Sequence, residues 1–107
     1  MTAPTTMNYQ AIVRTGLETT YAAVDGTNGN QFQNDGRMFL HVKNGSGAPI
    51  SVYVDARATV NDLTIVVTNG ESRDIGPFPP NLYNDANRRV QVTYSSGTSV
   101  TAAVLRL

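Results

Sequence analysis

Residues 37–54 read Arg37-Met-Phe-Leu-His-Val-Lys-Asn-Gly-Ser-Gly-Ala-Pro-Ile-Ser-Val-Tyr-Val54. Met38, Leu40 and Val42 alternate with Phe39, His41 and Lys43, the period of a strand with one apolar face. Asn44-Gly-Ser-Gly47 follows, and Asn and Gly tolerate the positive φ of a tight turn. Ile50, Val52 and Val54 then repeat the alternation. The stretch reads as strand, turn, strand and predicts a β-hairpin.

The same grammar continues on both sides. Leu63, Ile65 and Val67 alternate with Thr64, Val66 and Thr68, and Asn69-Gly70 predicts a second hairpin into a short strand over Glu71–Ile75. Gly76-Pro-Phe-Pro-Pro80 cannot be a central strand, because its prolines lack ladder donors, so it reads as a stiff crossing segment. Arg88–Tyr94 puts Val90, Val92 and Tyr94 on one face, and Ser95-Ser-Gly-Thr98 turns the chain. Ser99–Leu107 closes it, with Val100, Ala102 and Val104 inward. Gln10–Thr15 and Glu18–Val24 are candidate strands, while Asp25–Asn30 and Asn34–Gly36 are turn-rich. No window sustains a helical period. The expected fold is all-β: an antiparallel β-sandwich, immunoglobulin-like or jelly-roll, with about seven or eight strands. Residues 1–10 are expected to form a flexible arm and 11–107 a single domain.

Composition limits the chemistry. The 107 residues fit one domain. With no cysteine, neither a disulfide nor a thiolate metal site is available. Eight basic residues balance eight acidic ones, so nothing drives general attraction to nucleic acid. Seven of the eight bases are Arg, the cation preferred at contact surfaces. No apolar run approaches the roughly 18–20 residues of a membrane span. Residues 1–7 lack positive charge and precede no apolar block, so no secretory signal is expected.

No catalytic, cofactor or metal residue is expected. His41, the single histidine, lies opposite the apolar face of its strand, and no Gly-x-Ser-x-Gly turn accompanies it. Asp25-Gly-Thr-Asn-Gly-Asn30 lacks the alternating acids of a calcium loop and reads as an Asx turn. Asp55 with Asp62 is a weak carboxylate pair, since the chain leaves little room for a cleft and has no Trp platform. Asn44-Gly-Ser46 matches a glycosylation sequon but suits a turn. Pro77-Phe-Pro-Pro80 matches Pro-x-x-Pro, yet Phe78 would normally dock on its own core. Arg88-Arg89 suits the carboxylates of a protein partner. The partner-binding candidates are Phe39, Tyr53, Phe78, Tyr83, Arg88 and Arg89, with the arm Met1–Gln10 as a second candidate.

The run Asn34–Ala48, the strand Ile50–Val54, Asp62–Val67, Ile75–Pro80, Tyr83-Asn84, Val90–Ser95 and Thr98–Arg106 together resemble small virion proteins of tailed bacteriophages, encoded among the head genes. The likeness covers roughly residues 16–107 and is one of strand and turn order. It implies a capsid decoration (cement) protein or another head auxiliary protein, neither enzyme nor cofactor carrier. It also implies a location on the virion surface after synthesis in the host cytoplasm, the major capsid protein as partner, and a possible homo-trimer. No nucleic-acid or membrane partner is implied. A neck or tail protein of the virion and a carbohydrate- or receptor-binding sandwich module are the alternatives.

Overall fold

The computed structural model describes residues 4–56 and 61–107. Ten strands form two five-stranded sheets: β1 (Thr5–Thr6), β2 (Tyr9–Ala11), β3 (Ala22–Ala23), β4 (Asn30–Gln33), β5 (Met38–Asn44), β6 (Ile50–Val54), β7 (Leu63–Val67), β8 (Ser72–Ile75), β9 (Arg89–Tyr94) and β10 (Val100–Arg106). The first sheet runs β1-β4-β9-β6-β7. The second runs β2-β10-β5-β8, with β3 also paired to β10. The expected all-β sandwich is the fold. It is mixed and not wholly antiparallel, because β1 runs parallel to β4 and β2 parallel to β10.

Alternation places the core as the sequence predicts. Met38, Leu40 and Val42 of β5 and Val100, Ala102 and Val104 of β10, from one sheet, pack across the interlayer space on Ile50, Val52 and Val54 of β6 and Val90 and Val92 of β9, from the other. Nine of these side chains are 1% exposed or less. Each fully buried aliphatic contributes on the order of 1.5–3 kcal/mol, and their sum offsets the chain entropy of folding.

Both predicted hairpins are corrected. β5 and β6 lie in different sheets, as do β7 and β8. The turn chemistry is where expected, but it makes corners between layers. The two corners lock each other. Gly70 N–H donates to Asn44 O (2.8 Å) and Asn44 N–H to Glu71 O (3.0 Å). The Asn44 side chain, 2% exposed, donates through Nδ2 to Ala48 O and to Val67 O in the other sheet, both at 2.8 Å. Its Oδ1 accepts from the Ser46 amide and hydroxyl. The sequon asparagine is therefore a corner post. Among consecutive strands of the core, β6 and β7 alone pair as a hairpin.

Phe78 and Tyr83 are corrected as surface candidates. Phe78 is fully buried, 5.8 Å from the Phe32 ring and 5.7 Å from the Tyr83 ring between centroids. Tyr83 is 9% exposed and ends a short helix, α1 (Pro80–Tyr83), which the all-strand reading omits. Pro80 sits at the first helical position, where its missing N–H costs nothing. Two aromatics at the ends of a proline-rich crossing thus anchor it as core.

The described part of the expected flexible arm is also corrected. Residues 1–3 lie outside the described residues; from Thr5 the chain is paired. Thr5 N–H donates to Gly29 O and Met7 N–H to Gln31 O, and Thr5 Oγ1 bonds Asp25. The Thr5 hydroxyl and the Asn28 amide hold the Asp25 carboxyl below its usual range. The chain then crosses to the other sheet as β2. Gln10 clasps Thr20 through both amide atoms, closing the irregular segment 12–19 at its base.

Candidate partner-binding groove

The crossing arm bridges two sheet edges, β1 with β4 on one side and β2 on the other, and leaves a groove beside it. Two adjoining depressions, of about 340 and 460 Å³, share Tyr9 and Gln33 in their walls. The first adds Asn34, Asp35, Met38, Arg88 and Arg106; the second adds Arg89 and residues 6–8 of the arm. Three guanidinium groups thus meet one carboxylate in a chain of zero formal charge.

Arg106 is already engaged. Its Nε and Nη2 bond Asp35 Oδ2 at 3.1 and 3.0 Å, and its guanidinium lies 5.7 Å from the Tyr9 ring centroid. Arg37 also reaches Asp35, at 3.4 Å. Asp35 is therefore spent. Arg88 is exposed and makes no ion pair among the described residues. Arg89 is half-buried, and its Nε has no partner there. A partner carboxylate would satisfy both, because guanidinium–carboxylate bonds are charge-assisted and can be bidentate.

The groove's floor is rigid. Asn34, 6% exposed, donates from Nδ2 to Phe78 O and to Asn84 Oδ1, both at 2.8 Å, while Asn84 Nδ2 returns a bond to Asn34 O. Asn34 N–H donates to Arg88 O. Arg88 itself has φ 62°, a left-handed conformation that costs a non-glycine residue about 1–2 kcal/mol. The Asp85 turn holds it: Arg88 N–H donates to Asp85 O, and Asp85 Oδ1 accepts from Asn87 and Arg89 amides.

That strain yields a prediction. Arg88→Gly removes the steric penalty and adds unfolded-state entropy, so stability should stay equal or rise by up to about 1 kcal/mol, while partner binding falls. Thermal unfolding and a binding assay on one preparation test this. A loss of more than about 1 kcal/mol would mean that the Arg88 side chain holds the fold.

The other expected residues fall elsewhere. Tyr53, 37% exposed, lies on the outer face of the first sheet, opposite Thr93 and Thr64, and Arg89 pairs with Gln33 on that same face. Phe39 is half-buried on the outer face of the second sheet. His41 there pairs with Asp74 and lies 5.5 Å from the Tyr21 ring, which also receives Lys43 Nζ at 4.2 Å. Asp25 spends its carboxylate on its own turn, accepting from the Thr27 and Asn28 amides, as an Asx turn does. Asp62 Oδ1 accepts the Ala56 N–H across the β6–β7 loop. Among the described residues, no three His, Cys, Asp or Glu side chains gather as a metal site.

Sequence reading found Arg88 and Arg89, and included Tyr9 only within the candidate arm Met1–Gln10; it missed Asp35 and Arg106. The one available signal is Arg106, a charge at an inward-phase position of the last strand. Comparison with known proteins returns no match to a family model, a curated protein or a solved structure.

Proposed function

We propose that this chain is an adhesive virion protein, a decoration protein that docks on the outer surface of a phage major capsid shell and stabilises it. The observation that carries the reading is the Arg88–Arg89 pair, held on a rigid floor beside a groove and without ion-pair partners among the described residues. Its natural complement is an acidic patch on a folded protein. The strand and turn order that resembles phage head proteins supplies the identity of that protein. A shell repeats its sites many times, so a small domain with modest affinity per site suffices.

The mechanism is linkage. A protein that binds the assembled shell and not free subunits shifts the balance toward the shell by RT ln(1 + [L]/Kd) per site, about 2.7 kcal/mol at a hundredfold excess over Kd. The expected result is a higher shell melting temperature with this chain, co-sedimentation with expanded shells, and none with soluble subunits. Arg88→Glu combined with Arg89→Glu should weaken binding at least about tenfold, because like charges then meet. Equal shell stability with and without the chain would sink the reading.

A further inference from the structure

The four outer edges of the sandwich are not equally protected. β1, β2 and β3 are edges of two or three residues. β8 carries Arg73 at the register of inward-facing Val42, and Asp74 beside it, with Pro77 following. Short edges, inward-pointing charges and prolines are the usual guards against strand addition. β7 has none of them. It reads Leu63-Thr-Ile-Val-Val67, uncharged, and pairs on one side only among the described residues. Leu63 and Ile65, which face inward, are incompletely covered, and Val66 is 50% exposed.

The ladder's phase tells which main-chain groups are open. Ser95 N–H donates to Ser51 O, and Asp55 N–H donates to Gln91 O. Ser51 and Asp55, and Tyr53 between them, therefore turn their polar groups toward β9. Ile50, Val52 and Val54 turn theirs toward β7. Their partners Val67, Ile65 and Leu63 face back, because opposite residues of an antiparallel ladder share its phase. The N–H and C=O groups of Thr64 and Val66 are thus the ones that point outward from the edge.

We propose that β7 pairs antiparallel with β7 of a second copy, about a two-fold axis at Ile65. In that register Ile65 meets Ile65 of the copy, and Thr64 meets Val66. The two Thr64–Val66 pairs have the open groups, so each can exchange two N–H···O bonds. Leu63 meets Val67 on the inward side, so the two cores become continuous and cover Leu63 and Ile65. Asp62 meets Thr68, and no like charges oppose. The strand is self-complementary in hydrogen-bond phase, side-chain face and charge together, which is what an isologous interface requires. The pairing stands independently of what the Arg groove binds.

Thr64 and Val66 point outward on the sheet face, opposite Tyr53 and Ser51, so substitutions there spare the monomer's core. Sedimentation equilibrium of the full chain at about 100 µM should give twice the chain mass. Thr64→Lys with Val66→Lys sets ammonium against ammonium in both bonded pairs and should weaken the dimer at least about tenfold. Thr64→Glu with Val66→Lys sets carboxylate against ammonium and should keep it. Circular dichroism confirms that each variant is folded. A monomer or trimer at that concentration overturns the proposal. So does a dimer that the double-lysine variant leaves intact, or one that the Glu/Lys variant abolishes.

Discussion

Phe78→Ala should cost about 3–5 kcal/mol, the range for removing a buried aromatic. Phe78 has no exposed surface and stands between Phe32 and Tyr83. The crossing that carries it is fixed at both ends. Asn34 Nδ2 holds its carbonyl, and the start of α1 follows at Pro80. The backbone therefore cannot collapse into the space, which places the loss toward the upper part of the range. Small domains have a total of about 5–15 kcal/mol, so the variant should melt at least about 12 °C lower. Phe39→Ala is the control. Phe39 is half-buried on an outer face, and its loss should cost less than half as much. Equal losses for the two would contradict the assignment of Phe78 to the core.

Asn44→Ala should cost about 2–4 kcal/mol. Four hydrogen bonds end on this side chain, and two of its acceptors lie on different sides of a corner, Ala48 O and Val67 O. Truncation removes two donated and two accepted bonds from a buried corner, and each hydrogen bond contributes about 0.5–1.5 kcal/mol. Asn44→Asp separates the donors from the acceptors. It keeps an oxygen for Ser46 but turns a carboxylate toward two carbonyl oxygens, so it should destabilise at least as much as alanine. Urea unfolding of both variants, compared at constant slope, reads the difference. Near-native stability of Asn44→Asp would mean that the donated bonds do not lock the corner.

These two residues also mark how far the sequence was legible. Strict alternation in residues 38–42, 50–54, 90–94 and 100–104 identifies inward faces, because a side chain's face depends only on its parity along a strand. Asn44-Gly45 and Asn69-Gly70 identify turns for an equally local reason. Whether a turn closes a hairpin or a corner depends on where the next strand finds a partner, and Asn-Gly chemistry serves both. The side chain of Asn44 decides it, by bonding across sheets. β4 escaped notice because Asn30-Gln-Phe-Gln33 has one apolar residue and no visible period, although Phe32 is wholly buried. The arm escaped because parallel pairing of two- and three-residue strands leaves no mark in their composition.

The groove divides in the same way. Arg88-Arg89 is visible as a doublet in a chain otherwise balanced in charge. Tyr9, Asp35 and Arg106 come from three separate segments and meet only when the arm crosses between the sheets. Phe78 and Tyr83 count as contact candidates in sequence because they lie off the alternating inward faces, although Phe78 among its prolines already suits docking on its own core. In the fold those prolines shape a crossing that delivers both rings to the core.

The most direct test of the adhesive reading is a cryo-EM reconstruction of expanded phage shells incubated with this chain. The account predicts its density at every equivalent position of the shell lattice, with the Arg88–Arg89 groove turned toward acidic side chains of the capsid subunit. Density confined to a single vertex would assign the chain to the neck or tail instead. A bound chain with Arg88 and Arg89 facing solvent would contradict the groove as its contact surface.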